Sequence, residues 1–293
     1  MEDGRPSRTA AMAAIFRAHE CLFYEEPRLL NDNLAMALAE VDSAEEVKTY
    51  TDGILQRLAT GNEPAKAQAE LRRMIMTAVV RSRFFEDRLA AARDRGATQL
   101  VILGAGLDST AYRRADLTDG LQVFEVDHPS TQAWKRDRLG NVGVTLPDNL
   151  EFLPFDFERQ TLAEAMAAGG VHRDATTLFG WLGVQPYLTP EAVAATLDVV
   201  AAFAKGSELV MDLTTLRDED ASVRKGRLGL LAGMGEPFKS AYAVEDFRTI
   251  LQTRGFSRIE IVGYAEWLRR NAPADTQFVA PENGPSLLVS AQI

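Results

Sequence analysis

Positions 99–110 read QLVILGAGLDST, an apolar run that meets a glycine turn and then the opening of a helix. Gly104 and Gly106 bracket Ala105, and a turn of this kind between strand and helix aims backbone N–H groups at a ligand. A nicotinamide dinucleotide, a flavin and S-adenosylmethionine are all guests for such a turn. The dinucleotide fingerprint G-x-G-x-x-G uses its third glycine for close helix–strand packing, and here Ser109 stands in that place. Asp108 at the helix start would repel a pyrophosphate. S-Adenosylmethionine carries no phosphate, and its sulfonium and ammonium groups suit nearby oxygens. Asp127, in FEVDHP, ends the second strand 21 residues beyond Gly106, where a carboxylate accepts ribose hydroxyls. Asp156 ends LEFLPFD at the equivalent place on the next strand, with Phe157 beside it to flank an adenine ring.

A second group of reactive side chains lies in RAHECLFYEEP, residues 17–27. Glu20 and Tyr24 stand at i, i+4, so a helix puts them on one face. A carboxylate bonded to a tyrosine hydroxyl is a device for removing an indole or phenol proton. His19 faces a neighbouring direction and is a further candidate. Tyr187, in GVQPYLT after the fourth strand, is another, because open α/β sheets bind ligands outside the carboxyl ends of their strands. Phe16, Phe23, Trp181 and Phe238 are expected to wall a pocket for a flat substrate. The single cysteine, Cys21, reads as a small buried residue, and three histidines give no zinc-ligand spacing, so no metal is expected.

The elements that must position these residues follow from the pattern. Residues 8–80 carry helical periodicity and no convincing strand, ending in a long helical stretch over PAKAQAELRRMIMTAVVRSRFFEDRLAAARDRG with one break expected. From residue 97 strands alternate with helices: TQLVILG, LQVFEVD, LEFLPFD, ATTLFGWLG and SELVMDLT are the strands. That alternation predicts an α/β fold with a doubly wound, mostly parallel sheet. Thr189, Pro190 and Glu191 mark a helix start by cap, first-position proline and dipole charge. Near the end, SRIEIVGY and SLLVSAQI are joined by a long segment whose one helical signal is AEWLRRN, so the last strand is expected to enter antiparallel. Residues 1–80 are read as a helical cap over the substrate and 81–293 as the cofactor domain, with 215–243 as a lid insertion.

The 293 residues, 46% of them apolar, are enough for a full core. A formal net charge of −10 argues against nucleic acid and anionic membranes as partners. No apolar stretch approaches the ~18 residues of a membrane helix, and the expectation is a cytoplasmic protein acting on a small molecule. A homodimer through the helical cap is allowed by the pattern.

RSRFFEDRL, VILGAGLDSTAYR, FEVDHP, FDF, WLGVQPYLTPEAV and GEPFKS…VEDFRTILQTRGF occur here in the order seen in leucine carboxyl methyltransferase-like proteins. The chain resembles that family of class I S-adenosylmethionine-dependent methyltransferases from about residue 10 to its end. The resemblance implies a seven-stranded methyltransferase sheet with an inserted last strand and an N-terminal helical cap. It assigns Arg83 to the cofactor carboxylate, Gly104 to the methionine moiety, Asp127 to the ribose, and Asp156 and Phe157 to the adenine. Ala105, Gly106, Asp108 and Trp181 complete the expected cofactor set. Members that methylate a protein C-terminus often carry Glu in an EG pair after the fourth strand, where this chain has Leu182-Gly183. The expectation is therefore the bacterial small-molecule, natural-product branch, methylating oxygen or carbon, with indole C3 as a specific candidate acceptor. The competing readings are a peptide or protein carboxyl methyltransferase, an NAD(P)-dependent oxidoreductase and a non-catalytic adenosine-ligand sensor.

Overall fold

The structure is a computed structural model describing residues 7–155, 160–215, 229, 237–273 and 286–293. Four helices come first: α1 (Arg8–Phe23), α2 (Ala35–Leu38), α3 (Ala44–Ala59) and α4 (Pro64–Asp94). Ser7 caps α1 by accepting from Ala10 N at 3.2 Å, Ser43 caps α3, and Pro64 opens α4 at a position where its missing N–H costs nothing. The expected break in α4 is absent. It runs 31 residues without interruption, about 46 Å at 1.5 Å per residue. Within the stretch 8–80 read as helical, the segment around Leu34 forms only the four-residue α2.

The sheet follows: β1 (Gln99–Leu103), β2 (Gln122–Asp127), β3 (Leu150–Pro154), β4 (Thr177–Trp181), β5 (Glu208–Thr214), β6 (Ser257–Gly263) and β7 (Ser286–Gln292). Their order is β3-β2-β1-β4-β5-β7-β6. The first five strands pair parallel, and β7 lies antiparallel between β5 and β6, as the expected entry of the last strand requires. Between them come α5 (Thr110–Arg113), α6 (Ala115–Thr118), α7 (Pro129–Asn141), α8 (Leu162–Ala168), α9 (Pro190–Ala201), α10 (Val244–Gln252) and α11 (Tyr264–Asn271). The AEWLRRN signal thus becomes α11, in the joint between the last two strands.

Because side chains alternate along a strand, the sheet has two cores. Leu100 and Ile102 of β1 join Met12 and Phe16 of α1, Ile54 of α3 and Val79 of α4. Val101 and Leu103 face the other way, against Val193 and Leu197 of α9 and Phe247 of α10. The helical cap and one sheet face therefore share a continuous core. A boundary at residue 80 falls inside α4, whose Phe85 lies over Gly180 so closely that a Cβ there would come within 2.5 Å of its ring. No helix among the described residues is long and apolar enough to cross a membrane. Most of the expected lid at 215–243 lies outside the described residues.

Candidate active site

The glycine turn leaves β1 at the point where the sheet order reverses, with β2 on one side and β4 on the other. Doubly wound sheets open a crevice at that point. Gly104 and Gly106 adopt φ of 64° and 47°, in the left-handed region that glycine enters without penalty. Gly104 N and Ala105 N donate to Val126 O at 2.8 and 3.2 Å, pinning the turn to β2. A Cβ on Gly104 would sit 2.4 Å from Val184 Cγ2, so the turn passes directly beneath the segment after β4. Asp127 completes the crevice. Its carboxylate accepts from Gly106 N and, at 2.6 Å, from His128 N. Burial pushes this carboxyl above its usual range, against the downward pull of those two donors. Asp108 accepts from Thr110 N at 2.8 Å, so the charge that argues against a pyrophosphate also caps the start of α5.

A cavity of about 380 Å³ opens over this turn, a size that suits a small-molecule site. Gly104, Ala105, Gly106, Asp108 and Asp127 line its floor, and Thr131 of α7 stands beside them. α4 forms a wall with Arg73, Thr77 and Arg81, spaced four residues apart and hence stacked on one helix face. Arg81 Nη1 reaches Asp212 Oδ2 at 3.4 Å, and Asp212 also accepts from Gly183 N. Gly183, at φ 70°, is packed under Arg81 so tightly that a Cβ would meet its guanidinium at 2.7 Å. Met12, Phe16, Met74, Tyr187 and Phe238 make the remaining part largely apolar, with the Tyr187 and Phe238 rings edge to face at 5.4 Å.

Several expected residues lie elsewhere. Arg83 is not at the cavity: its Nε bonds Asp87 at 2.8 Å and its Nη1 bonds Leu29 O at 2.9 Å. Two positions along a helix turn the side chain by about 200°, so α4 presents Arg81 where Arg83 was expected. Trp181 is fully buried with the α9-side core, because strand alternation turns its neighbours Gly180 and Leu182 to the α4 side, where Leu182 lines the cavity. Asp156 and Phe157 lie outside the described residues.

The Glu20–Tyr24 pair is also corrected. Glu20 is fully buried, and its carboxylate accepts from Leu29 N (2.7 Å), Leu30 N (3.3 Å) and Asn31 N (3.2 Å). It folds the loop after α1 and touches no part of the cavity, since a buried carboxylate is held where backbone donors satisfy it. Tyr24 packs against the cap-side core, and burial raises its hydroxyl pKa further from the range of a base. The His19 ring meets Phe23 at a tilt, 4.8 Å between centroids, and Tyr24 edge to face at 6.0 Å, and burial lowers its pKa. Phe23 is exposed. Of the four catalytic candidates, only Tyr187 lines the cavity.

Sequence reasoning missed the network that fastens the cap to the glycine turn. Arg17 donates to Asp32 at 2.8 Å and to Leu107 O at 2.6 Å, and Ser109 Oγ donates to the same Asp32 at 2.6 Å. Arg113 then links Ser109 to Glu86 of α4. The signal for this was the serine in the third-glycine position, which is there to hold a carboxylate of the cap. Asp212 and Arg81 left no pattern that spacing alone would flag. No group of acidic, histidine or cysteine side chains among the described residues could hold a metal ion.

Residues 10–201 match the family model described as leucine carboxyl methyltransferase. A Bacillus subtilis (strain 168) protein named "Putative S-adenosyl-L-methionine-dependent methyltransferase YktD" is 31% identical over 276 residues, covering 87% of this chain and 88% of that one. A Mycolicibacterium gilvum protein with the same description is 35% identical, over 70% of this chain and 66% of its own length. Among solved structures, a "duf574 family protein" from Streptomyces avermitilis superposes with a TM-score of 0.62 at 13% identity, covering 96% of each chain. A "putative methyltransferase" from Thermobifida fusca gives 0.59 at 17% identity, over 99% of this chain and 96% of the other. The fold of this chain is thus shared with those solved structures over nearly its whole length.

Proposed function

This chain belongs to the leucine carboxyl methyltransferase family, with S-adenosylmethionine as cofactor, and from that premise we propose that it methylates a small aromatic or heteroaromatic metabolite. The residues of the crevice fit that cofactor. Gly104 leaves room where a Cβ would collide with Val184, and Asp127 keeps lone pairs for ribose hydroxyls. Arg81 and Asp212 place opposite charges where a zwitterionic amino-acid end needs them. The bound cofactor supplies a methyl group on a sulfonium, ready for in-line displacement.

The chain's own residues then have two tasks. They hold the acceptor atom about 3–3.5 Å from the methyl carbon, which supplies much of the acceleration in such a transfer. They also keep water out, through the cap that roofs the cavity. The observation that carries the small aromatic acceptor is the compartment of Met12, Phe16, Met74, Tyr187 and Phe238, three of whose five side chains are rings. Such walls suit a flat ligand by edge-to-face packing. Tyr187 brings the one hydroxyl of that set and is the group we assign to holding or steering the acceptor's proton. Oxygen and ring carbon are both acceptors of this type, indole C3 among them.

The test is to incubate the purified protein with S-adenosylmethionine and a panel of indoles, phenols and aromatic acids, reading a gain of one methyl by mass spectrometry. Tyr187→Phe is expected to lower turnover about 100-fold or more while S-adenosylhomocysteine affinity stays unchanged. Methylation of peptide C-termini, with the aromatic panel untouched, would overturn this reading.

A further inference from the structure

Thr131 stands one helical turn beyond Asp127, on the first turn of α7, and it lines the cavity. The residue is 2% exposed, yet its hydroxyl has no hydrogen-bond partner among the described residues. Buried side-chain hydroxyls are almost always paired, so an orphan of this kind calls for a cause. A helical threonine usually escapes by bonding a carbonyl three or four residues back. Here it bonds neither: Asp127 O accepts from Phe155 N at 2.8 Å and His128 O from Gln132 N at 3.1 Å, and the Thr131 hydroxyl reaches neither of them.

The surroundings say what the hydroxyl waits for. Asp127 offers acceptors only, with one lone pair on each oxygen already given to Gly106 N and His128 N. A ligand that presents vicinal hydroxyls to Asp127 has oxygens that can also accept, and a nearby hydroxyl is the natural donor to them. Thr131 Oγ1 moves on a single dihedral, and helical threonine is the β-branched residue that divides between two rotamers. It can therefore turn toward a ligand without moving the backbone of α7.

We propose that Thr131 is a cofactor-binding residue whose hydroxyl engages the adenosine half of S-adenosylmethionine beside Asp127. The proposal rests on the cofactor named above and adds to it a contact that Asp127 cannot make. It carries a signature of opposite signs. Thr131→Val keeps the shape of the side chain and removes a buried unpaired hydroxyl, so the free protein should melt no lower than the wild type. The same change removes the ligand contact, so affinity should fall.

The experiment is isothermal titration with S-adenosylhomocysteine and with 5′-methylthioadenosine, which lacks the amino-acid end, alongside thermal melts of the free proteins. Thr131→Val is expected to weaken both ligands by about tenfold, the size of one hydrogen bond, with the melting temperature equal or higher. Thr131→Ser should stay within about threefold of wild type. Unchanged affinity for both ligands in the valine variant would overturn the assignment. A loss confined to S-adenosylhomocysteine would overturn it too, since the contact would then be at the amino-acid end. If wild type bound neither ligand, the cofactor reading itself would fall. Thr131→Ala serves for the same titrations should the valine variant not fold.

Discussion

Asp127 is pulled in two directions that a single pH series can separate. Burial raises its pKa above the ordinary value near 3.9. A carboxyl with a raised folded pKa stabilises the free fold below its unfolded pKa, and that contribution is lost as pH rises through the folded value. Ribose hydroxyls, in contrast, need the ionised form as acceptor. S-Adenosylhomocysteine affinity should therefore weaken as pH falls through the raised pKa, in a range where this group favours the free fold. Asp127→Ala should weaken binding by about 1.5–3 kcal/mol at neutral pH, the range for a hydrogen bond to a charged group. That variant should also lose the acid-side fall in affinity, which calorimetry between pH 4 and 8 would reveal. Wild-type-like affinity in a folded Asp127→Ala protein would remove Asp127 from the site.

At the scale of elements, the cap is held to the glycine turn through Asp32. Burial is the largest influence on this carboxyl and pushes it up, but Arg17, Arg113 and the Ser109 hydroxyl together hold it below the usual range. Its stabilising contribution is therefore present above the unfolded pKa and lost as pH falls through the folded one. Asp32→Asn keeps an acceptor but leaves two buried guanidiniums short of charge, a change of about 3 kcal/mol. The melting gap between wild type and variant should be widest at neutral pH and begin to narrow as pH falls below about 4, where the unfolded carboxyl takes up its proton first. A gap that stayed constant across that range would mean that the ion pairs are not what Asp32 contributes. Ser109 belongs to the same argument, because the hydroxyl that breaks the dinucleotide fingerprint is spent on this carboxylate.

At the scale of the molecule, α4 packs against both the cap helices and the sheet. Its 31 residues carry side chains into a core shared by α1, α3 and all seven strands, and its Arg81 reaches the cavity from the same helix. Thermal unfolding should be a single transition, followed equally by far-ultraviolet dichroism and tryptophan fluorescence. S-Adenosylhomocysteine at 100 times its Kd should add about 2.7 kcal/mol to that one transition. Two transitions, with the ligand moving only the second, would show that the cap melts independently.

The sequence by itself determined the alternation of strand and helix, the glycine turn, the strand-end Asp127 and the reversed last strand. These are local facts: each depends on periodicity of two or 3.6 residues, on turn chemistry, or on the order of elements. It also carried the family, through motifs spread over most of the chain. Which side chains meet at the site was decided by tertiary structure. Glu20 and Tyr24 share a helix face, but whether that face meets the cavity depends on how α1 docks on α4. Arg81 and Arg83 are two residues apart and point to opposite sides, so only the seating of α4 on the sheet chooses between them. Asp32 is 77 residues from the Ser109 it accepts from, and Asp212 is 131 residues from Arg81. Their partnerships arise from burial, which brings charges together from distant segments and leaves no spacing in the sequence to read.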